Sequence, residues 1–221
     1  MSRYTAALFD LDGTLTASAE GIIKSFRYAF EKMNLPLDET RDLSVVIGPP
    51  LKGSFAAFGV PEERLDEAVT AYRERYNTIG KYENEPFEGI RELLGRLKEA
   101  GVKLYVATSK PEAMALDILN HFDLVKYFDE IAGATLGDSR SSKKDVILYL
   151  LNKTEIKGNT VMVGDTAFDI IGAREAGIEA IGVSWGYGTI ESMREAEPLA
   201  IVNTMDELYE MIVNTKKAES R

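Results

Sequence analysis

The sequence contains no cysteine and only one histidine among its 221 residues. Without cysteine, the protein has no disulfide bonds, no thiolate nucleophile and no zinc–thiolate centre, because each of these needs a cysteine sulfur. Basic residues are also scarce, 26 against 36 acidic ones, which gives a formal net charge of −10. This charge argues against nucleic acid or an anionic membrane as a partner, since both are negatively charged themselves.

Long apolar runs are missing as well. The first residues, MSRYTAALFDLD, lack the apolar stretch of a signal peptide. No run approaches the roughly 20 apolar residues that a membrane-spanning helix needs. Hydrophobic residues make up 45% of the chain and charged residues 28%, as in ordinary water-soluble globular proteins. We therefore expect a soluble, cytoplasmic protein without a membrane partner.

The stretch Ala6–Thr16 stands out among the residues that are present. An apolar run ends abruptly at Asp10, and a second acid, Asp12, comes just before Gly13 and Thr14. An apolar run bounded by turn residues predicts a buried strand, and open α/β sheets bind ligands at the carboxyl ends of their strands. Packing gives no reason to place two acids there, whereas a metal ion and a phosphate group would.

Further strand-like runs alternate with helical patterns along the chain. The predicted strands after the first one are Lys103–Thr108, Glu130–Ala134, Thr160–Gly164, Ala180–Val183 and Ala200–Val202. Alternating strands and helices of these lengths predict an α/β fold, in which a Rossmann-like, doubly wound parallel sheet is joined by right-handed crossovers. A closing helix is predicted at Met205–Thr215.

The segment 17–83 breaks this alternation. Helical periodicity recurs at Gly21–Met33 and Pro61–Ile79, and no convincing strand lies between them. We therefore predict an α-helical cap domain at 17–83, inserted into an α/β core formed by 1–16 and 84–221. A helical subdomain with only a packing role is the alternative. The cap is favoured because both connections flank the suspected site.

Polar residues follow several of the predicted strands. Besides the first two acids, these clusters are Thr108-Ser109-Lys110, the pair Lys143–Lys144, and Gly164-Asp165-Thr166 with Asp169. Three carboxylates that meet would repel one another without a cation, and an all-oxygen set of ligands suits Mg²⁺. A hydroxyl group (Ser109 or Thr108), a lysine and helix N–H groups would hold the oxygens of a phosphate.

Two acids at this spacing also suit phosphoryl transfer. An aspartate can attack phosphorus and form an aspartyl phosphate. A second carboxyl group two residues away can protonate the leaving oxygen and then activate water for the hydrolytic step. A bare D-x-D pattern occurs by chance in many acidic proteins. The prediction therefore depends on the order of all the clusters and on their position at strand ends.

These motifs match a known family. DLDGT at Asp10–Thr14, the hydroxyl at Ser109, the lysine near residue 143 and GDTAFD at Gly164–Asp169 resemble the motifs of the haloacid dehalogenase superfamily. The resemblance covers essentially the whole chain. A helical cap between the first two motifs resembles the C1-capped subfamily, and IGPPL, VATSKPE and WGYG resemble its phosphoglycolate phosphatase-like branch.

The resemblance implies a role for each matching residue. It implies Asp10 as the nucleophile and Asp12 as the general acid and base. It further implies Mg²⁺ bound by the carboxylates of Asp10 and Asp165 and by the backbone carbonyl of Asp12. Asp169 would support the metal through water or position Asp165, and Ser109 would bind one phosphate oxygen.

Other basic and polar residues receive roles in the same way. Lys143 is preferred to Lys144 as the catalytic lysine, because S-K-x-D-V-I matches the register of the family. The N–H of Lys110 and the residue Thr14 are expected to contribute to substrate binding. In the cap, Lys52 beside IGPPL is our first choice for contacting an anionic leaving group.

The predicted function is that of a Mg²⁺-dependent phosphatase acting on a small phosphorylated metabolite, with phosphoglycolate or a nucleoside monophosphate as candidates. We expect it to be a monomer or homodimer. A β-phosphoglucomutase-like phosphomutase is the alternative within the superfamily. A receiver module of a signalling system is the alternative from another class. It is disfavoured because receivers carry their phospho-accepting aspartate on a later strand and lack a helical insert.

Overall fold

The computed structural model describes residues 2–135, 140, 142–154, 156 and 158–214. Within them, six strands form one sheet in the order β3-β2-β1-β4-β5-β6, and every neighbouring pair is parallel. The strands are β1 (Ala6–Phe9), β2 (Lys103–Pro111), β3 (Glu130–Ala134), β4 (Thr160–Gly164), β5 (Glu179–Val183) and β6 (Ala200–Val202). The prediction of a doubly wound parallel sheet is confirmed.

Helices connect the strands and cover both faces of the sheet. They are α1 (Ala19–Lys32), α2 (Leu51–Ala57), α3 (Leu65–Tyr76), α4 (Ile90–Glu99), α5 (Glu112–His121), α6 (Lys143–Thr154), α7 (Ala167–Glu175), α8 (Ile190–Glu195) and α9 (Met205–Val213). None of the helices in the described ranges is long and apolar enough to cross a membrane. The predicted end of the closing helix, at residue 215, lies outside the described residues.

The alternation of side chains along β1 explains the two layers of core. Ala7 and Phe9 pack into one cluster of buried residues with α4, α5 and α9. Ala6 and Leu8 pack on the opposite face with α6, α7 and α8. A strand buried on both faces reads as a continuous apolar run, as β1 does. The core ends at the carboxyl end of β1, where the chain turns polar.

The helical segment after β1 has a hydrophobic core of its own. Phe26 of α1 stacks on Phe55 of α2, with ring centroids 4.5 Å apart, and both side chains are fully buried. The chain leaves and rejoins the sheet side by side, since the N–H of Ala17 donates to the carbonyl of Glu85 at 2.7 Å. Both connections therefore lie next to the end of β1. The exact bounds of the cap, 17–83, stay a prediction.

Candidate active site

Asp10 follows β1 directly, at the centre of the sheet, and is only 7% exposed. Its Oδ1 accepts a hydrogen bond from the N–H of Leu11 at 2.7 Å and lies 2.9 Å from Nζ of Lys143. Burial raises the pKa of Asp10, Lys143 lowers it in part, and the charge of Asp169 raises it further. A buried carboxylate held among charged groups in this way is typical of a functional site.

Three acids from distant parts of the sequence converge here. Asp10, Asp165 and Asp169 are all buried, and one carboxylate oxygen from each lies within 4.8 Å of those of the others. Burial, together with the charges of Asp169 and Asp10, raises the pKa of Asp165 from 3.8 to about 8. Such mutual repulsion is what a divalent cation relieves, and the purely oxygen donors suit Mg²⁺ rather than zinc.

The turn after β1 is shaped around Asp165. Gly13 has a φ angle of +82°, and a Cβ atom at this position would lie 2.2 Å from Oδ2 of Asp165. The site therefore requires glycine here for both its backbone conformation and its lack of a side chain. The absence of a side chain at Gly13 lets the turn after β1 approach the loop after β4 closely.

Thr14 orients an acid of the site. Its side chain is fully buried, and its hydroxyl group donates to Oδ1 of Asp165 at 2.9 Å. The other oxygen of Asp165, Oδ2, accepts from the N–H of Tyr187 at 2.8 Å. The hydroxyl of Thr14 thus fixes the orientation of Asp165, and its contribution to substrate binding stays a prediction.

Asp169 has two tasks at the start of α7. Its Oδ2 accepts from the N–H and the hydroxyl of Thr166, at 3.0 and 2.9 Å, as the partner in a capping box. Its Oδ1 lies 2.7 Å from Nζ of Lys143. Asp169 thus stabilises the first turn of α7, next to Asp165, and helps to hold the buried lysine.

Lys143, the first residue of α6, is the lysine that reaches the acids. Besides its ion pairs with Asp10 and Asp169, Nζ donates to the carbonyl of Ala107 at 3.1 Å. Burial alone would lower the pKa of Lys143, but the two carboxylates outweigh it and raise the pKa above its ordinary value. The structure thus places Lys143 at the site, while Lys144 is half-buried one position further along α6.

The hydroxyl group at the end of β2 is Thr108 and not Ser109. Thr108 is 1% exposed, its hydroxyl accepts from the N–H of Lys110 at 3.2 Å, and its proximity to the Asp10 carboxylate lowers the pKa of that group. Ser109 is exposed. The residue pattern did not decide which of the two hydroxyls would bind a phosphate oxygen, and the family resemblance favoured Ser109. The register, which pairs Phe9 with Val106, decides in favour of Thr108 because it brings Thr108 level with the loop that carries the two acids.

Asp12 meets a side chain that the sequence analysis missed. Nζ of Lys110 lies 2.6 Å from Oδ2 of Asp12 and donates to the hydroxyl of Tyr76 at 2.9 Å. Burial would lower the pKa of Lys110, but the charge of Asp12 raises it above the ordinary value. The prediction named only the backbone N–H of Lys110. Tyr76 belongs to α3 of the helical segment, so no local sequence pattern links it to Asp12.

Lys52 does not reach this cluster. Its Nζ pairs with Oδ1 of Asp66 at 2.7 Å, and 59% of its side chain is exposed. The structure pairs Lys52 with Asp66, and its contact with the leaving group stays a prediction. The adjacent motif IGPPL does approach the core, because a Cβ atom on Gly48 would lie 3.5 Å from Cγ2 of Thr166.

The WGYG loop after β5 encloses Asp165. Nε1 of Trp185 donates to the carbonyl of Thr14 at 3.2 Å, and the hydroxyl of Tyr187 accepts from the N–H of Ala19 at 2.9 Å. A Cβ atom on Gly186 would lie 2.3 Å from Cβ of Asp165. The loop is therefore a wall of the site, and Tyr187 ties it to the beginning of α1.

Comparison with known proteins agrees with this geometry. Residues 7–183 match the model of a family described as "Haloacid dehalogenase-like hydrolase". A 5'-nucleotidase from Pseudomonas aeruginosa is 40% identical over 198 residues, which cover 89% of this chain and 90% of that protein. The tyrosine-protein kinase PtkA from Mycobacterium tuberculosis is 41% identical over 208 residues, covering 93% of this chain and 71% of that protein.

Solved structures resemble the chain over nearly its full length. The crystal structure of a predicted phosphatase from Clostridium acetobutylicum superimposes with a TM-score of 0.89 at 42% identity, covering 96% of this chain and 99% of that one. Among the sequence relatives, a protein named phosphoglycolate phosphatase from Agrobacterium fabrum is 32% identical over 207 residues, which cover 89% of this chain and 87% of that protein.

Proposed function

Because the chain belongs to the haloacid dehalogenase-like hydrolases, we propose that it is a Mg²⁺-dependent phosphatase acting on a small phosphomonoester through an aspartyl phosphate on Asp10. The observation that carries the proposal is the buried triad of Asp10, Asp165 and Asp169, with Lys143 within 2.9 Å of two of its members. Such a concentration of buried charge supports phosphate chemistry.

The roles of the residues follow from their places. The Asp10 carboxylate attacks phosphorus while the bond from phosphorus to the leaving oxygen breaks, and Asp12 gives that oxygen a proton. Asp12 then takes a proton from water, which attacks the phosphorus of the aspartyl phosphate and regenerates Asp10. The hydroxyl of Thr108 and the ammonium group of Lys143 would bind phosphate oxygens.

The triad fits a divalent cation. Asp10 and Asp165 would hold Mg²⁺, and Asp169 would support the site from the capping box of α7. When bound, Mg²⁺ supplies positive charge that offsets the negative charge of the phosphate oxygens. Thr14 and the N–H of Tyr187 keep Asp165 oriented, since they occupy both of its oxygens.

A panel of phosphomonoesters tests the proposal. We expect Mg²⁺-dependent release of phosphate from at least one small ester in a panel that includes phosphoglycolate and nucleoside monophosphates. Asp10→Asn should abolish the release, because an amide is a poor nucleophile. Asp117→Asn, which changes an exposed acid on α5, is the control and should retain activity. Undiminished turnover by Asp10→Asn would contradict the mechanism.

Transfer to an acceptor other than water is the second candidate. It is favoured by the similarity to the protein named tyrosine-protein kinase PtkA. The β-phosphoglucomutase-like alternative belongs to the same type, because there the acceptor is a sugar hydroxyl. Following the labelled phosphoryl group separates the cases: it appears as inorganic phosphate for a phosphatase and on tyrosine or an isomerised sugar for a transferase.

A further inference from the structure

We propose that the side chain of Lys110, held by Tyr76 of the cap, is a positioning residue that aims the carboxyl group of Asp12 at the leaving oxygen. The inference rests on the proposed function, in which Asp12 is the general acid and base. Through the contact between Lys110 and Tyr76, the docked position of the helical segment would be coupled to the proton-transfer step.

The first observation is the contact between Lys110 and Asp12. Nζ of Lys110 lies 2.6 Å from Oδ2 of Asp12, and the two side chains are only 6% and 13% exposed. An ion pair so far from water keeps one geometry, because bulk solvent does not compete for either partner. The pair therefore fixes the side-chain rotamer of Asp12.

The second observation concerns the other oxygen of Asp12. Oδ1 is buried and has no hydrogen-bond partner among the described residues. A buried polar atom without a partner is costly, so it calls for a functional reason. Because Nζ of Lys110 pairs with Oδ2, Oδ1 is the oxygen of Asp12 that is left without a protein partner among the described residues. Lys110 thus selects the oxygen that delivers the proton and leaves that oxygen free for the substrate.

The third observation is that Lys110 also bonds to the cap. Nζ donates to the hydroxyl of Tyr76 at 2.9 Å and lies 4.8 Å from the centroid of its ring. Tyr76 is 1% exposed and stacks on Tyr72, with centroids 5.2 Å apart. The phenol is therefore rigid in the docked cap. If the helical segment moved away, Lys110 would lose this partner and Asp12 would lose its fixed orientation.

The competing explanation is that Lys110 binds an anionic leaving group directly. An ammonium group has three hydrogens, and the contacts to Asp12 and Tyr76 account for two of them. Lys110 is thus already engaged on both sides, which favours a positioning role. The two explanations differ in which substrates suffer when the lysine is removed.

The test compares esters by their need for a proton. p-Nitrophenyl phosphate has a leaving group that departs without protonation, whereas an alkyl phosphate needs the general acid. The quantity to measure is kcat/KM, since it covers the steps up to departure of the leaving group and excludes hydrolysis of the aspartyl phosphate. The variants are Lys110→Met and Tyr76→Phe. Tyr72→Phe is the matched control from the same aromatic stack.

We expect Lys110→Met to lower kcat/KM for a neutral alkyl phosphate by about tenfold or more beyond its effect on p-nitrophenyl phosphate, a fraction of what general acid catalysis contributes. Tyr76→Phe should act in the same direction but less strongly, because it removes only the hydroxyl that holds Lys110. Tyr72→Phe should leave the ratio between the two esters unchanged.

Two results would overturn the inference. Equal losses for both ester classes would show that Lys110 does not act through Asp12. A loss confined to alkyl esters that bear a carboxylate, expressed as a raised KM, would show that Lys110 binds the leaving group. Either result leaves the proposed function intact as long as Asp10→Asn is inactive. Tyr76→Phe deletes a single oxygen atom and keeps the test decisive should Lys110→Met fail to fold.

Discussion

At the scale of single residues, the properties of the site depend on buried charge more than on the shape of the side chains. The three acids Asp10, Asp165 and Asp169 are buried together, and Lys143 offsets only part of their repulsion. The pKa of Asp165 is accordingly raised to about 8. The metal-free protein therefore carries a local destabilisation at neutral pH and above, which a bound cation would remove.

The repulsion among the three acids predicts that the stability of the metal-free protein depends on pH. One substitution, at Asp165, should remove this dependence. The folded-state pKa of Asp165 is about 8 against an ordinary value of 3.8. The folded state therefore binds more protons than the unfolded state, and stability falls as pH rises between these values. Asp165→Asn should consequently raise the melting temperature in EDTA at pH 8, with a smaller gain at pH 5. It should also abolish stabilisation by Mg²⁺.

Thermal melts of the two proteins in EDTA and in Mg²⁺ at both pH values check this expectation. The wild-type protein at pH 5 is the internal control, because Asp165 is already protonated there. A lower melting temperature for Asp165→Asn in EDTA at pH 8 would show that the repulsion among the acids is not significant.

Among the elements, the loop after β5 leaves no room for an added side chain at the site. A Cβ atom on Gly186 would lie 2.3 Å from Cβ of Asp165, whereas one on Gly95 of α4 would meet nothing within 4 Å. Gly186→Ala must displace either the loop or the acid. Displacing catalytic groups by about 1 Å can cost about 100-fold in rate. We expect a loss of that order in phosphatase activity.

Gly95→Ala is the matched control for this loop variant. It makes the same chemical change in the middle of a helix, where alanine is favoured over glycine by about 1 kcal/mol. We expect unchanged activity and a slightly higher denaturant midpoint. If Gly186→Ala retained full activity, the loop would not be a wall of the metal site.

The sequence predicted most of the elements but not all of their contacts. The apolar runs that end at Asp10 and Gly164 indicated β1 and β4 correctly, because a buried parallel strand has a strong local pattern. The choice between Thr108 and Ser109 depended on strand register, which local pattern does not contain. The pairing of Lys52 with Asp66 could not be predicted for a related reason: the direction of a long side chain depends on its neighbours.

The contact between Lys110 and Tyr76 could not be predicted from the sequence either. The two residues are 34 positions apart and belong to different layers of the molecule. Each has an ordinary explanation in the sequence, as a lysine after a strand and as an apolar position of a helix. Their joint role emerges only when the helical segment docks on the sheet.

At the scale of the whole molecule, a net negative charge coexists with two buried lysines at the site. A formal net charge of −10 repels a phosphorylated substrate at long range. The buried ammonium groups of Lys110 and Lys143 oppose this repulsion where the substrate would react. The sheet order places β1 between β2 and β4, so the ends of all three strands deliver their polar residues to one edge, below the helical segment.

The most direct test of the account is to trap the phosphorylated enzyme. Borohydride reduces an aspartyl phosphate to homoserine, which mass spectrometry of peptides locates by residue. During turnover of a phosphomonoester with Mg²⁺, we predict reduction at Asp10, and none in Asp10→Asn or without substrate. Turnover with no reduced residue, or reduction at a carboxylate other than Asp10, would contradict the central claim that Asp10 is the nucleophile.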